Sequence, residues 1–377
     1  MHRAVALGLL STLALALPAQ EPVTTLTIAE TTAGQGDTLA VGDIATLCWL
    51  AKKDDGSVYE ERTNERQPMQ LRVGPQVPQW WEEGLQRMRP GGTYRVEVPI
   101  DRMWPAAQLP AALRGCKHVV YEVRVLRAIR MPRFQQVDAT KAKDEVGFPT
   151  EVRAVGSGTK PAKDHWCTFH FIAFTSTGDV IDSSHALEKP MRARPDALDV
   201  PFLAAILPRM APGARWLCTS PVTAGHPRWA GILGAKETVT WQVELLAVTP
   251  PLPMPAFAPP PAETMKASAS GVRVCIDGGV GEASPADGVK QVRAHFACWL
   301  ADGTLVEASY PAGEPSELEL ARLPPGMSEG FLRIPGGGAA WLRIPAAQGY
   351  GSKGHPARKV PPDAELIMRV ELLGIGR

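Results

Sequence analysis

Four groupings in this chain of 377 residues bring reactive side chains close together, and each would do different chemistry. His165, Cys167 and His170 are metal-ligand types, but on a strand positions 165 and 167 face one way and 170 the other. Asp182-Ser-Ser-His185 holds the parts of a nucleophile and its base, yet adjacent residues at a strand end rarely converge as such a pair. Gly336-Gly-Gly338 lacks the Gly-Lys-Ser/Thr that completes a phosphate loop. The fourth grouping is Gly349-Tyr-Gly-Ser-Lys-Gly-His-Pro356, followed by Val360-Pro-Pro-Asp-Ala-Glu-Leu-Ile-Met-Arg-Val-Glu-Leu-Leu373. Gly349, Gly351 and Gly354 permit tight turns, and Pro361-Pro362 stiffens the approach to the last strand. Leu366, Met368, Val370 and Leu372 then alternate as one face of a half-buried strand. One phenol, Tyr350, and one imidazole, His355, are thereby held on a loop beside an apolar surface.

That run resembles the C-terminal signature of the FKBP-type peptidyl-prolyl isomerases, where a Tyr-Gly loop, a His-Pro and a Val/Ile-Pro-Pro overhang a proline pocket. The resemblance implies catalysed rotation about an Xaa-Pro bond, against an amide barrier of about 18–20 kcal/mol. Such a reaction needs no nucleophile, metal or cofactor. It needs a dry apolar cavity for the pyrrolidine ring and a donor that fixes the neighbouring carbonyl. Removing water favours the twisted amide, whose charge separation is smaller than that of the planar form. The family's parts are aromatic walls, a Trp floor at a helix start, a buried Asp after the first turn, the loop Tyr as donor, and a backbone N–H just before the helix.

The elements that would position these parts recur three times, with a period of about 120 residues, the size of a domain. Each repeat opens with an alternating strand that turns at a glycine: 45–50 with Gly56, 168–173 with Gly178, and 292–297 with Gly303. A second short strand and a proline follow (Pro68, Pro190, Pro315), and then a helix candidate, 81–88, 203–210 or 327–334. Each helix is expected to stop at a Pro-Gly pair, Pro90-Gly91, Pro212-Gly213 or Pro335-Gly336. Two further strands close each repeat. Strands outnumber helices and no spacing suits a βαβ crossover, so the expected class is α+β, an antiparallel sheet with a helix on one face. The resemblance implies the same: three tandem FKBP-like domains, each a curved five-stranded sheet around a short helix. The expected boundaries are 31–131, 146–248 and 264–377, with a proline-rich, extended and semi-rigid linker at 249–263.

Carried over residue by residue, no repeat has every part. Repeat three has the loop Tyr350 and His355, Val360, and the wall aromatic Phe296, with Glu307 at the Asp position; Tyr350, His355, Glu307 and Phe296 are its catalytic candidates. Val306, Leu323, Met327 at the floor and Met368 on the last strand complete its lining. Repeat one has the Trp floor as Trp81, walls at Trp49, Tyr59 and Tyr121, Glu60 for the Asp, and Trp104 for the loop Tyr. Repeat two has the Asp itself, Asp182, with Phe171, Ile181 and Trp241, but Leu203 at the floor and no loop tyrosine. The N–H donor position falls on Pro78, Val200 and Pro324 in turn, and proline has no N–H to give.

Composition narrows the setting. Formal net charge is +1, from 40 basic and 39 acidic residues spread evenly, which leaves no electrostatic footprint for nucleic acid or an anionic membrane. The N-terminus reads as an export signal at 1–19: a basic His2-Arg3, an apolar run from Ala4 to Leu17, and the small-residue site Leu17-Pro-Ala19. The mature protein is then expected to be periplasmic or secreted, without stable membrane insertion. Six cysteines, two per repeat, fit one bridge each in such a compartment, but buried free thiols fit equally well because the positions do not match between repeats. The expected partners are proline-containing polypeptide clients, with a macrolide as possible ligand and no metal or cofactor. Two other readings stay open: a peptide-holding module with degenerate sites, and a structural exported protein.

Overall fold

The computed structural model describes residues 25–145, 147–277 and 288–376, so the expected export signal lies outside the described residues. The strands form three sheets, of six, seven and seven strands, one per repeat. The ladders are antiparallel, and each sheet has the same order. In repeat one it runs Thr27–Thr32, Thr93–Pro99, His118–Ile129, Ile44–Lys53, Val58–Arg62. The corresponding strands of repeat two are Phe148–Ala154, Arg215–Pro221, Thr238–Thr249, Trp166–Phe174 and Val180–Ser183. In repeat three they are Arg273–Asp277, Ala339–Ile344, Leu366–Gly376, Gln291–Leu300 and Leu305–Ala308. A further short strand pairs with the long strand in each, and short edge strands add to the count of five that the resemblance implies.

Local chemistry explains the repetition. Gly56, Gly178 and Gly303 turn the long strand back at φ of 83°, 93° and 86°, a region closed to most side chains. The same backbone bond closes each turn: Lys53 N–H to Ser57 O at 2.9 Å, Thr175 N–H to Asp179 O at 2.8 Å, Leu300 N–H to Thr304 O at 2.9 Å. The packing helices are Gln79–Leu85, Pro201–Ile206 and Pro325–Leu332. They begin at Pro78, Val200-Pro201 and Pro324-Pro325, where a preset φ and a missing N–H cost nothing. They end several residues before the Pro-Gly pairs expected to stop them. Those pairs instead lead into the next strand, because Gly91 and Gly213, and Gly337 just after the third pair, donate to Val125, Leu245 and Leu372 of the closing strands at 2.7, 2.6 and 2.9 Å.

One apolar core fills each space between helix and sheet. The long strands are buried on both faces over much of their length, which blurs their alternation, and in repeats two and three a linker ring covers part of the outer face. Phe134 packs edge-on against Phe174, centroids 5.5 Å apart, and Phe257 packs on Trp299 at 5.4 Å. Phe174 and Trp299 each lie four residues before the turn glycine, and a Cβ on Gly178 or Gly303 would come within 3.1 Å of the docked ring. The proline-rich stretch is thereby seated on repeat three through Phe257. Repeats one and two share a cluster of Ile129, Met131, Ile172 and Phe174. Repeats two and three are joined by Trp166 Nε1–H to Pro311 O at 2.8 Å and by Arg192, which donates to Ala312 O at 2.6 Å and pairs with Glu314 at 3.2 Å.

All six cysteines are free thiols, which settles the two readings of their even count. For three of them, strand neighbours account for it. Cys218 lies opposite Trp241 and Thr150, Cys167 opposite Ala193 and Val248, and Cys298 opposite Met368 and Glu307.

Candidate active site

In repeat three the candidate residues form an apolar cluster built from both layers. Phe296 and Cys298, two apart on the long strand, face the same way as Val370 and Met368, their partners on the closing strand. Met327 projects from the first turn of the helix toward them. Phe296, Met327, Val360 and Met368 are all buried, and Val306, Leu323 and Tyr350 pack against the same cluster partly exposed. Seven of the residues singled out in repeat three thus come together. Gly326 and Gly330 allow the helix to approach this closely, since a Cβ at 326 would meet Ile344 at 2.6 Å and Gln348 at 2.8 Å, and one at 330 would meet Leu342 at 2.7 Å.

The loop above is clamped. His355 and Val360 exchange backbone hydrogen bonds of 2.9 and 3.1 Å, and Gly354, at φ 60°, sits where a Cβ would strike Val360 O at 2.5 Å. The His355 ring stands edge-on to Tyr350, centroids 5.0 Å apart, and its Nδ1 accepts the Arg358 N–H at 3.2 Å. Burial, and next the neighbouring Cys298 thiol, push the Tyr350 phenol above its ordinary value, so it stays a protonated donor at neutral pH. Glu307 stands apart from this cluster. Its side chain is exposed at the rim and forms an ion pair with Arg358.

In repeat one, Trp49, Trp81 and Tyr121 come together, joined by a residue the sequence pattern does not single out, Trp80. Trp80 stacks on Trp81 at 4.7 Å and lies 4.8 Å from Tyr121, while Trp81 lies 5.4 Å from Trp49 and 5.6 Å from Tyr121. The four rings fill the space between helix and sheet. Burial and then the Glu60 charge raise the Tyr59 phenol, and the adjacent Trp104 side chain pulls it back. Trp104 itself is 37% exposed, and Glu60 turns to Arg62 at 3.2 Å.

In repeat two, Trp241 is wholly buried between two further rings absent from the expected set: Phe202 stacks on it at 4.6 Å and Trp229 at 5.4 Å. Phe171 lies 6.1 Å away, and Ile181 and Val200 pack against the same core. Trp229 comes from a short helix, Trp229–Leu233, just after Gly225-His226-Pro227. That tripeptide repeats Gly354-His355-Pro356 and is the sequence signal that could have found it. Here the ring over the slot comes after the Gly-His-Pro instead of preceding it. Asp182 lies at the rim, where loss of solvent around its carboxyl raises the pKa against the pull of Ser183 N–H, His226 and Arg72. Pro78, Val200 and Pro324 each directly precede their helix.

A family model described as FKBP-type peptidyl-prolyl cis-trans isomerase matches residues 30–126 and 281–373, together just over half of the chain. An FK506-binding protein of Neisseria meningitidis serogroup C is 36% identical over 88 residues, 23% of this chain and 80% of that protein. Peptidyl-prolyl cis-trans isomerase FKBP15-1 of Arabidopsis thaliana is 36% identical over 87 residues, and the FKBP-type 22 kDa peptidyl-prolyl cis-trans isomerase of Escherichia coli is 38% identical over 85. Each of these alignments covers 22% of this chain, and 56% and 41% of the relative, so the chain spans about half the length of these two relatives. Among solved structures, FkpA from Escherichia coli aligns at 34% identity over 29% of this chain and 51% of that one, TM-score 0.27. The three FKBP domains of wheat FKBP73 align at 18% identity over 61% and 95%, TM-score 0.29.

Proposed function

The chain belongs to the FKBP-type peptidyl-prolyl cis-trans isomerase family, and from that premise we propose that it acts on Xaa-Pro bonds of client polypeptides at repeat three, after export. The observation that carries this is the convergence of Tyr350 with Phe296, Val306, Met327, Val360 and Met368 around one apolar slot. A proline ring seated there leaves water, and the planar amide loses the solvation that favours its charge separation. The Tyr350 hydroxyl, protonated and partly exposed, donates to the carbonyl beside the proline, and the clamped loop keeps it in place. No bond is made or broken; the amide is only twisted. A macrolide directed at the family would compete for the same slot.

In repeats one and two, intrinsic rings occupy the corresponding space, so these repeats hold or space the client rather than turn it over. Three linked modules raise the effective concentration of one extended client at repeat three. A second reading, a peptide-holding module without catalysis, draws on Pro324, which leaves no N–H at the position before the helix, and on Glu307, which faces Arg358.

Refolding of a protein limited by proline isomerisation separates the two readings. Catalytic amounts of the chain should accelerate the slow phase, and a stoichiometric excess needed for any effect would favour the holding module. Export rests on the N-terminal sequence and is checked by fractionating cells and sequencing the N-terminus, which should begin after Ala19.

A further inference from the structure

The loop from Gly349 to Val360 carries three cations, Lys353, Arg358 and Lys359, and no carboxylate. Arg358 is paired, and its partner comes from the opposite wall. Glu307 lies on Leu305–Ala308, held to the long strand through the Cys298–Glu307 register position. The ion pair therefore spans the rim of the slot from strand to loop. Its cationic end is fixed by backbone, because Arg358 N–H reaches both His355 O at 3.0 Å and His355 Nδ1 at 3.2 Å, and Lys359 turns the chain at φ 58°. The guanidinium is felt inside the slot as well: burial raises the Cys298 thiol to about 12, and the Arg358 charge opposes that rise.

The two side chains are 41% and 45% exposed, and a pair so wetted is weak enough for a client to replace one member. If Tyr350 holds the carbonyl of the residue before the proline, that residue lies against the same loop that carries Arg358.

Resting on the reading of repeat three as the prolyl site, we propose that Arg358 is a specificity-determining residue that selects an acidic side chain directly before the proline. Glu307 holds that carboxylate's place in the free protein. The cationic loop disfavours Lys or Arg at the same position, and Glu307 competes with an acidic client rather than acting on it.

The test uses the full chain and three peptides that differ only in Glu-Pro, Ala-Pro or Lys-Pro, with kcat/KM read from NMR exchange. The wild type should prefer Glu over Lys by about threefold, the scale of an exposed charge pair. Arg358→Gln should level the three peptides, Arg358→Lys should keep the order, and Glu307→Gln should widen it. Raising the salt tenfold should shrink the wild-type preference, a check that needs no variant. Equal ratios in wild type and Arg358→Gln, or a preference for Lys, would overturn the inference while leaving the prolyl site standing. Exchange at the uncatalysed rate for all three peptides would remove the site and the inference together.

Discussion

Three single residues carry testable consequences. Cys298 is 2% exposed, and its thiol is raised to about 12 by burial, so almost none is thiolate at pH 8. Iodoacetamide should leave it unmodified in the folded chain and label it only in denaturant; rapid native labelling would mean the slot opens widely. Asp43 is wholly buried and accepts hydrogen bonds from Arg130 at 2.8 Å and from Met131 N–H and Ala40 N–H at 3.0 Å, with Arg133 paired at 2.9 Å. Desolvation would raise its pKa, but these donors outweigh it and hold it below the ordinary 3.8. A carboxylate depressed by folding stabilises fully above its unfolded pKa and loses that contribution as pH falls through the folded one. Asp43→Asn should therefore cost about 1–3 kcal/mol in urea denaturation at pH 7, with the difference shrinking below about pH 3.8. The third residue, Tyr350, could be singled out from sequence because its loop is short-range chemistry. Glu307 shows the limit: its position aligns with an acid, but only the fold brings Arg358 across to it.

At the scale of elements, the strands and glycine turns were legible because period-2 patterns and positive-φ glycines are local signals, while each helix begins two residues before its expected start, at Gln79, Pro201 and Pro325. The helix ends were not legible. Pro-Gly reads as a stop, but here it serves the next ladder through Gly91, Gly213 and, just after the third pair, Gly337. The rings that close repeats one and two were also hidden, since Trp80, Phe202 and Trp229 gain their partners from distant strands. Two changes test the helix–sheet packing of repeats three and two. Gly326→Ala places a Cβ 2.6 Å from Ile344, so the helix bearing Met327 must move; about 1–3 kcal/mol should be lost, with lower activity at repeat three. Trp229→Ala should cost about 3–5 kcal/mol and leave a cavity beside Trp241. Differential scanning calorimetry with and without a prolyl ligand measures both, and ligand stabilisation of Trp229→Ala above wild type would show that the indole is what fills repeat two.

The arrangement of the whole molecule depends on the linkers, which sequence reads only as polar or proline-rich. Phe134 and Phe257 dock at equivalent places, so each linker is fastened to the repeat after it. Together with Trp166 and Arg192 against the 310–314 segment, these contacts join each repeat to the next. Phe257→Ala should raise the radius of gyration in small-angle scattering and expose 249–263 to proteolysis, with each repeat still folded. An unchanged profile would mean the interface between repeats holds without the strap. On the proposed reading, the spacing between repeats would set the effective concentration that repeats one and two lend to repeat three.

The most direct measurement is cis/trans exchange of an Ala-Pro peptide by NMR, with the full chain as wild type, Tyr350→Phe and Trp81→Ala. Repeat three as the catalyst predicts acceleration above background, a loss of about tenfold in Tyr350→Phe for one missing hydrogen bond, and little change in Trp81→Ala beyond its stability. Background exchange from a folded chain, or a rate that tracks Trp81 and ignores Tyr350, would contradict it.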